Sequence, residues 1–167
     1  EADGPTIPPA RSLREILGFD AFHVADDPVL DELTVYAAES LDAPLAFVDL
    51  VDGDRLRVRA KLGAKVSELP LAGSFAEQAL RQPDGMLVVE DATRDPRFAT
   101  HRSITGPTHI RFYAGVRLAT REGVPYGTLS VLDREPRTPD PEDLRRLGVI
   151  ARQVAAQMEL RRTETAL

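Results

Sequence analysis

Asp49 is a carboxylate inside the apolar run Leu45-Ala46-Phe47-Val48-Asp49-Leu50-Val51, in phase with Leu45, Phe47 and Val51. Burying a carboxylate without a partner is costly, so Asp49 must meet a cation, a hydrogen-bond donor or a ligand. In the segment from His109 to Leu118, Tyr113 and Gly115 fall on one face of an alternating strand, with Ala114 and Val116 on the other. Glycine weakens a strand and marks a bulge, tight packing or the close approach of another group. Tyr113 would add a hydroxyl at the end of an aromatic body. Between these strands, Glu90 to Phe98 leaves the sheet through mixed charges, with an Asp95-Pro96 turn and Phe98 expected to drop inward as anchor or pocket wall. Asp91, Asp95 and Arg97 read as loop architecture.

Other polar groups offer less. Arg57, Arg59 and Lys61 form a basic stripe, either a solvated strand face or a hold for an anion. His23, His101 and His109 are far apart, without carboxylate or thiol partners at ligand spacing, so a metal or haem site through His101 or His109 has little support. His109 beside Arg111 reads as a loop hydrogen-bonder at a pocket mouth. Asp49 to Asp54 lacks the ligand alternation and spaced glutamate of a calcium loop and reads as a turn. Nucleophilic triads, phosphate loops and dinucleotide fingerprints are missing.

The elements that must position these residues follow from pattern. Residues 1–10 carry four breakers, Gly4, Pro5, Pro8 and Pro9, and read as an extended arm, followed by a short helix from Arg11 to Leu17 that Gly18 ends. Asp26 or Asp27 caps the next helix, Pro28 takes its first position, and Leu30, Leu33, Ala37 and Leu41 supply its buried stripe. Leu45 to Val51 is a strand covered on both faces, and Asp52-Gly53-Asp54 turns it into a second, strictly alternating strand with Leu56, Val58, Ala60 and Leu62 on one side. Gly63 to Gly73 reads as a loop. Ser74 and Glu77 form a capping box for a helix through Leu80. Strands follow at Met86 to Val89, His109 to Leu118, and Tyr126 to Leu132. A long helix opens at Thr138 or Asp140, with Leu144, Leu147, Ala151, Val154 and Met158 in one seam suited to a dimer or linker contact.

Composition excludes more than it assigns. At 167 residues, 43% hydrophobic and 29% charged, the chain reads as one ordinary globular unit. A net charge of -6 argues against a general nucleic-acid binder. Without cysteine there is no disulfide, thiolate metal site, cysteine nucleophile or thioether-linked chromophore. No apolar run of transmembrane length and no signal-peptide pattern is present, so no membrane association is expected and a cytoplasmic location follows by default. The first residue is Glu1, so a segment of a longer protein is expected.

The order and spacing of these pieces, roughly Asp20 to Arg161, resembles the GAF family of small-molecule sensor domains in bacterial signalling proteins. The resemblance is carried by the helix before Leu41, the strand Leu45 to Asp52, the Ser74-Phe75 helix start, Asp91 to Phe98, Ile110-Arg111-Phe112-Tyr113-Ala114-Gly115, and Gly127-Thr128-Leu129-Ser130-Val131-Leu132-Asp133. It implies an α+β fold: a central antiparallel sheet of five or six strands, loop helices on one face and the terminal helices on the other. It divides the chain into an N-terminal arm and short helix (1–19), a sensor domain (20–162) and a C-terminal helix (139–165) shared with it as linker or dimer helix. It also implies a non-enzymatic module with an unknown small ligand between sheet and loops, signalling to an output domain of the histidine kinase or diguanylate cyclase kind, and a homodimer through the terminal helices. The pocket residues it suggests are Phe47, Asp49, Phe75, Phe98, Ile104, His109, Tyr113 and Gly115. Relatives that reduce free methionine sulfoxide or attach bilin covalently use cysteine, and the residue after Ser74-Phe75 here is Ala76; both chemistries are excluded, whereas non-covalent binding stays open. The alternative is a ligand-free dimerisation or interaction domain whose cavity is filled by its own side chains.

Overall fold

The computed structural model describes Leu17 and residues 26–166. The expected N-terminal arm, the helix expected from Arg11 apart from Leu17, and His23 lie outside the described residues. Helix α1 (Pro28–Ser40) starts where its sequence says it should: Asp27 caps it, accepting from the Leu30 amide at 3.2 Å, and Pro28 occupies the first turn. Strands β1 (Leu45–Asp52) and β2 (Arg55–Leu62) form the first hairpin, and a short edge strand β3 (Glu68–Pro70) pairs with β2. The expected loop from Gly63 to Gly73 therefore contains a strand, too short and too exposed to leave a periodic signal.

Helix α2 (Phe75–Arg81), strand β4 (Met86–Val89), a 3₁₀ turn (Ala92–Arg94) and the single-turn helix α3 (Arg102–Thr105) come next, then strands β5 (Phe112–Ala119) and β6 (Pro125–Asp133) and helix α4 (Pro141–Ala166). The sheet is six-stranded and antiparallel in every pair, in the order β3-β2-β1-β6-β5-β4. Helices α1 and α4 cover one face; α2, the 3₁₀ turn and α3 cover the other. The central strands β1 and β6 are buried nearly throughout, as strands covered on both faces must be.

Two sequence expectations need correction. Strand β2 does not alternate strictly, because its pairing with β1 shifts between Val48 and Asp49. Leu56 and Val58 stand opposite Val51 and Asp49, while Ala60 and Leu62 stand opposite Val48 and Ala46, residues that belong to the other face. The bulge leaves Arg59 without a counterpart and splits the basic stripe: Arg57 stands opposite Leu50 and Lys61 opposite Phe47. The second concerns the α4 seam. Leu147, Ala151, Val154 and Met158 are all buried in the core formed with α1 and the sheet, so the seam is used inside the domain and is not free for a second chain.

Asp27 locks the two terminal helices together. Beyond its capping bond it accepts from Gln157 Nε2 at 3.0 and 2.9 Å and from Arg161 Nε at 3.1 Å, while only 2% exposed. Burial alone would raise its pKa; donation from Gln157, Leu30 and Arg161 outweighs this and holds it below the ordinary carboxylate value. Asp27→Ala removes the cap and leaves Arg161 without this partner, so urea denaturation should show a loss of about 2–4 kcal/mol. A loss under about 0.5 kcal/mol would mean that the lock carries no stability.

Candidate functional site

Phe75, at the first position of α2, lies flat on Tyr113 of β5, with ring centroids 4.6 Å apart and planes 11° apart. Phe98, from the loop before α3, leans on Phe75 at 4.5 Å and 42°. Offset and tilted contacts of this kind favour aromatic pairs beyond simple burial. They fasten the loop layer to the sheet as a roof. Local bonds hold the roof in shape: Ser74 accepts from the Glu77 amide at 3.1 Å, Asp91 caps the 3₁₀ turn through Thr93, and Asp95 binds the Arg97 amide and guanidinium. Asp91, Asp95 and Arg97 are thus loop architecture.

Beneath the roof is a cavity of about 320 Å³. Leu45, Phe47 and Leu132 contribute apolar wall from the two central strands, and Leu56 from β2. Asp49, Tyr113 and Ser130 bring polar groups into it, and Lys65, His101 and Arg134, all exposed, stand at its mouth.

The expected pocket residues separate into two groups. Phe47, Asp49, Phe75 and Tyr113 line this cavity together. Phe98 and Ile104 are buried behind it as the packing of the roof. His109 is exposed, takes a left-handed backbone (φ 56°) and has its Nδ1 3.0 Å from Arg111 Nη2, outside the cavity lining. Gly115 does not line the cavity either, because the Tyr113 ring lies over it. A Cβ at position 115 would overlap the Tyr113 hydroxyl and stand 2.6 Å from its Cε1.

Sequence reasoning missed Ser130, Lys65 and Arg134 and did not place His101 at the cavity. Ser130 had a readable signal: with Thr128 it forms a polar, in-phase pair within an apolar strand, as Asp49 does in β1. His101 and Arg134 reach the cavity through loop geometry that no local pattern encodes. His101 Nδ1 lies 2.8 Å from Ser103 Oγ and accepts the Ser103 amide at 3.1 Å, so the pair caps α3. Among the described residues no group of three His, Asp or Glu side chains is placed to hold a metal ion.

Electrostatics single out Asp49. It is 7% exposed, its Oδ1 has no hydrogen-bond partner, and burial pushes its pKa up to about 7. Tyr113 is likewise raised, first by burial and then by the nearby Asp49 charge; Thr128 and Ser130 offset part of this. The Thr128 and Ser130 hydroxyls are thus close enough to influence Tyr113, yet none of the three oxygens closes a hydrogen bond of good geometry.

A six-stranded antiparallel sheet, terminal helices on one face and a roofed cavity on the other define an α+β domain. The chain belongs to the GAF domain family, whose model matches residues 10–158. It is 38% identical over 138 residues to a cyclic di-GMP phosphodiesterase of Pseudomonas aeruginosa, a match covering 82% of this chain and 23% of that protein, so the chain spans about a quarter of that relative's length. Solved structures share the fold. Free methionine-R-sulfoxide reductase of Neisseria meningitidis, in complex with its substrate, has a TM-score of 0.67 at 22% identity, covering 92% of this chain and 91% of that one. The GAF domain of an Acinetobacter phosphoenolpyruvate-protein phosphotransferase has a TM-score of 0.66 at 16% identity, covering 83% and 84%. The PixJ GAF domain of Thermosynechococcus elongatus, in its blue-light absorbing form, has a TM-score of 0.63 at 14% identity, covering 83% and 90%. Among the described residues no helix is long and apolar enough to cross a membrane.

Two outcomes are expected of the site. A carboxyl whose folded pKa, about 7, exceeds its starting value of 3.8 binds its proton more tightly in the folded state. Its contribution is therefore full below about pH 4, declines as pH rises to about 7, and stays low above that. Asp49→Asn should be more stable than wild type at pH 8, by at most about 4 kcal/mol, with the gap closing towards pH 4 in urea denaturation; a gap independent of pH would refute the assignment. Separately, Gly115→Ala should push the Tyr113 ring off Phe75, altering the near-ultraviolet tyrosine circular dichroism and lowering stability by about 1–3 kcal/mol. Unchanged tyrosine signal and stability would show that the ring does not depend on Gly115.

Proposed function

We propose that this GAF domain is a non-enzymatic sensory module of a longer bacterial signalling protein, binding a small molecule in the cavity between sheet and roof. The observation that carries this reading is the cavity itself: a volume of about 320 Å³ that Tyr113 and Ser130 reach with their hydroxyls and Asp49 with a carboxylate oxygen that no donor meets. That volume lies at the small end of the range of ligand sites. A core filled by its own side chains, the rival reading, would leave neither the space nor the unmet polar atoms.

The lack of cysteine and the use of His101 and Ser103 as a helix cap favour binding over catalysis. The relative named as a cyclic di-GMP phosphodiesterase, much longer than this chain, supports an output domain elsewhere in the protein. Residues of β1 and β6 alternate between the cavity and the layer under α1 and α4, as Asp49 with Leu50 and Ser130 with Leu129 and Val131. A ligand that prefers one setting of these strands would shift the population of helix arrangements on the opposite face, where α1 and α4 meet through Asp27 and Arg161.

Native mass spectrometry of the purified protein and thermal-shift screening against a metabolite library test the reading. At least one compound should raise the unfolding temperature of wild type. Ala64→Trp, a substitution in the half-buried cavity wall, should fold and lose that response. No responding compound, or an equal response from Ala64→Trp, would remove the cavity as a ligand site.

A further inference from the structure

Among the described residues six buried side-chain polar atoms have no hydrogen-bond partner, and four of them gather at one place: Asp49 Oδ1, Tyr113 OH, Thr128 Oγ1 and Ser130 Oγ. Their residues are 7%, 2%, 0% and 1% exposed and stand on the adjacent strands β1, β6 and β5. A buried polar group left unmet is destabilising by about 1–3 kcal/mol; the Thr128 and Ser130 hydroxyls stand beside that of Tyr113 and can relieve one another in part, whereas Asp49 has no donor of its own and is the group the empty floor leaves unmet. Tyrosine and serine hydroxyls can serve as donor or acceptor, but an ionised carboxylate only accepts. What completes the floor is therefore a donor, and a positively charged nitrogen completes it best, because it meets the charge of Asp49 as well as its lone pairs.

The mouth has the opposite sign. Lys65 and Arg134 line the cavity, are exposed, and make no ion pair with another described residue. Between floor and mouth the walls are apolar, from Leu45, Phe47, Leu56 and Leu132. The cavity is thus acidic at depth, greasy midway and basic at the rim. An anion carried down to the floor would be repelled by Asp49, and a plain cation would leave the rim unmet.

Resting on the reading of this cavity as a ligand site, we propose that its ligand is a small zwitterion with an apolar body. Its cationic nitrogen sits on Asp49 with the Ser130 and Tyr113 hydroxyls, and its anionic group lies beneath Lys65 and Arg134. The anion is a carboxylate or a phosphate, and the volume limits the molecule to about the size of a free amino acid.

Isothermal titration calorimetry tests this with defined probes: L-leucine and L-methionine as amino carboxylates, phosphoethanolamine as an amino phosphate, 4-methylpentanoate without the nitrogen, and isopentylamine without the anion. At least one zwitterion should bind wild type with a Kd below about 1 mM, and each one-ended analogue of leucine should bind at least about tenfold more weakly than leucine where leucine is the ligand. Asp49→Asn should weaken the bound zwitterion at least about tenfold, and Lys65→Gln with Arg134→Gln should weaken it while leaving isopentylamine unchanged. Thermal unfolding confirms that each variant folds. Binding by an amino carboxylate alone or by phosphoethanolamine alone selects the anion. No binding by any of the three zwitterions, or zwitterion binding indifferent to Asp49→Asn, overturns the proposal. If in that case another class of compound stabilises wild type but not Ala64→Trp, the cavity stands as a ligand site and only the zwitterion falls; if nothing does, both fall.

Discussion

Stacked and tilted aromatic rings hold the roofed half of this domain in place. Phe75 lies on Tyr113, Phe98 leans on Phe75, and the Tyr113 ring has room only because Gly115 carries no side chain. The segment from Ala92 to Ile110 contains little regular structure, a 3₁₀ turn and a single helical turn, and does not hold its position by backbone hydrogen bonding to the sheet alone. The ring contacts supply the tertiary anchor. They also set the height of the roof, and so the existence of the space under it.

The sheet separates two kinds of interior. On the side of α1 and α4 the core is continuous and apolar, from Leu30 through Leu129 and Val131 to Val154, and it absorbs the helical seam that a reading of α4 by itself would offer to a partner. On the other side the packing is broken into two smaller clusters with the cavity among them. The bulge at Arg59 matters to both. It allows one strand to send Leu56 to the cavity wall and Ala60 and Leu62 to the opposite core. Asp27 closes the apolar side with charge: a buried carboxylate there is fully partnered, in contrast to Asp49, and the opposite directions of their pKa displacement express that difference.

Asp49 is buried with an oxygen that no donor meets, and the Thr128, Ser130 and Tyr113 hydroxyls crowd beside it. A domain selected for stability alone would carry apolar side chains at these positions. Under the proposed reading, a ligand that supplied the missing donor would offset this cost and so couple occupancy of the cavity to the setting of β1 and β6 and to the helices on the far face.

Much of the architecture was legible in the residues alone. The Asp27-Pro28 start of α1, the Ser74 cap of α2, the central strand around Asp49 and the antiparallel order are local or periodic properties, and local chemistry determines them. The abnormal position of Asp49 was also legible, because a charge in a covered strand conflicts with its neighbours whatever the rest of the fold does. Tertiary structure decided which residues share the cavity. Gly115 and Tyr113 stand in phase, yet only the packed ring shows that the glycine serves the tyrosine. Phe98 and Ile104 face inward but stop at the roof, and His109 stays outside, while His101, Arg134 and Lys65 arrive from loops. Spacing along a chain fixes which side of a strand a side chain takes. The height of a roof, the slip of one register and the reach of a loop depend on contacts between distant segments, and no single segment encodes them.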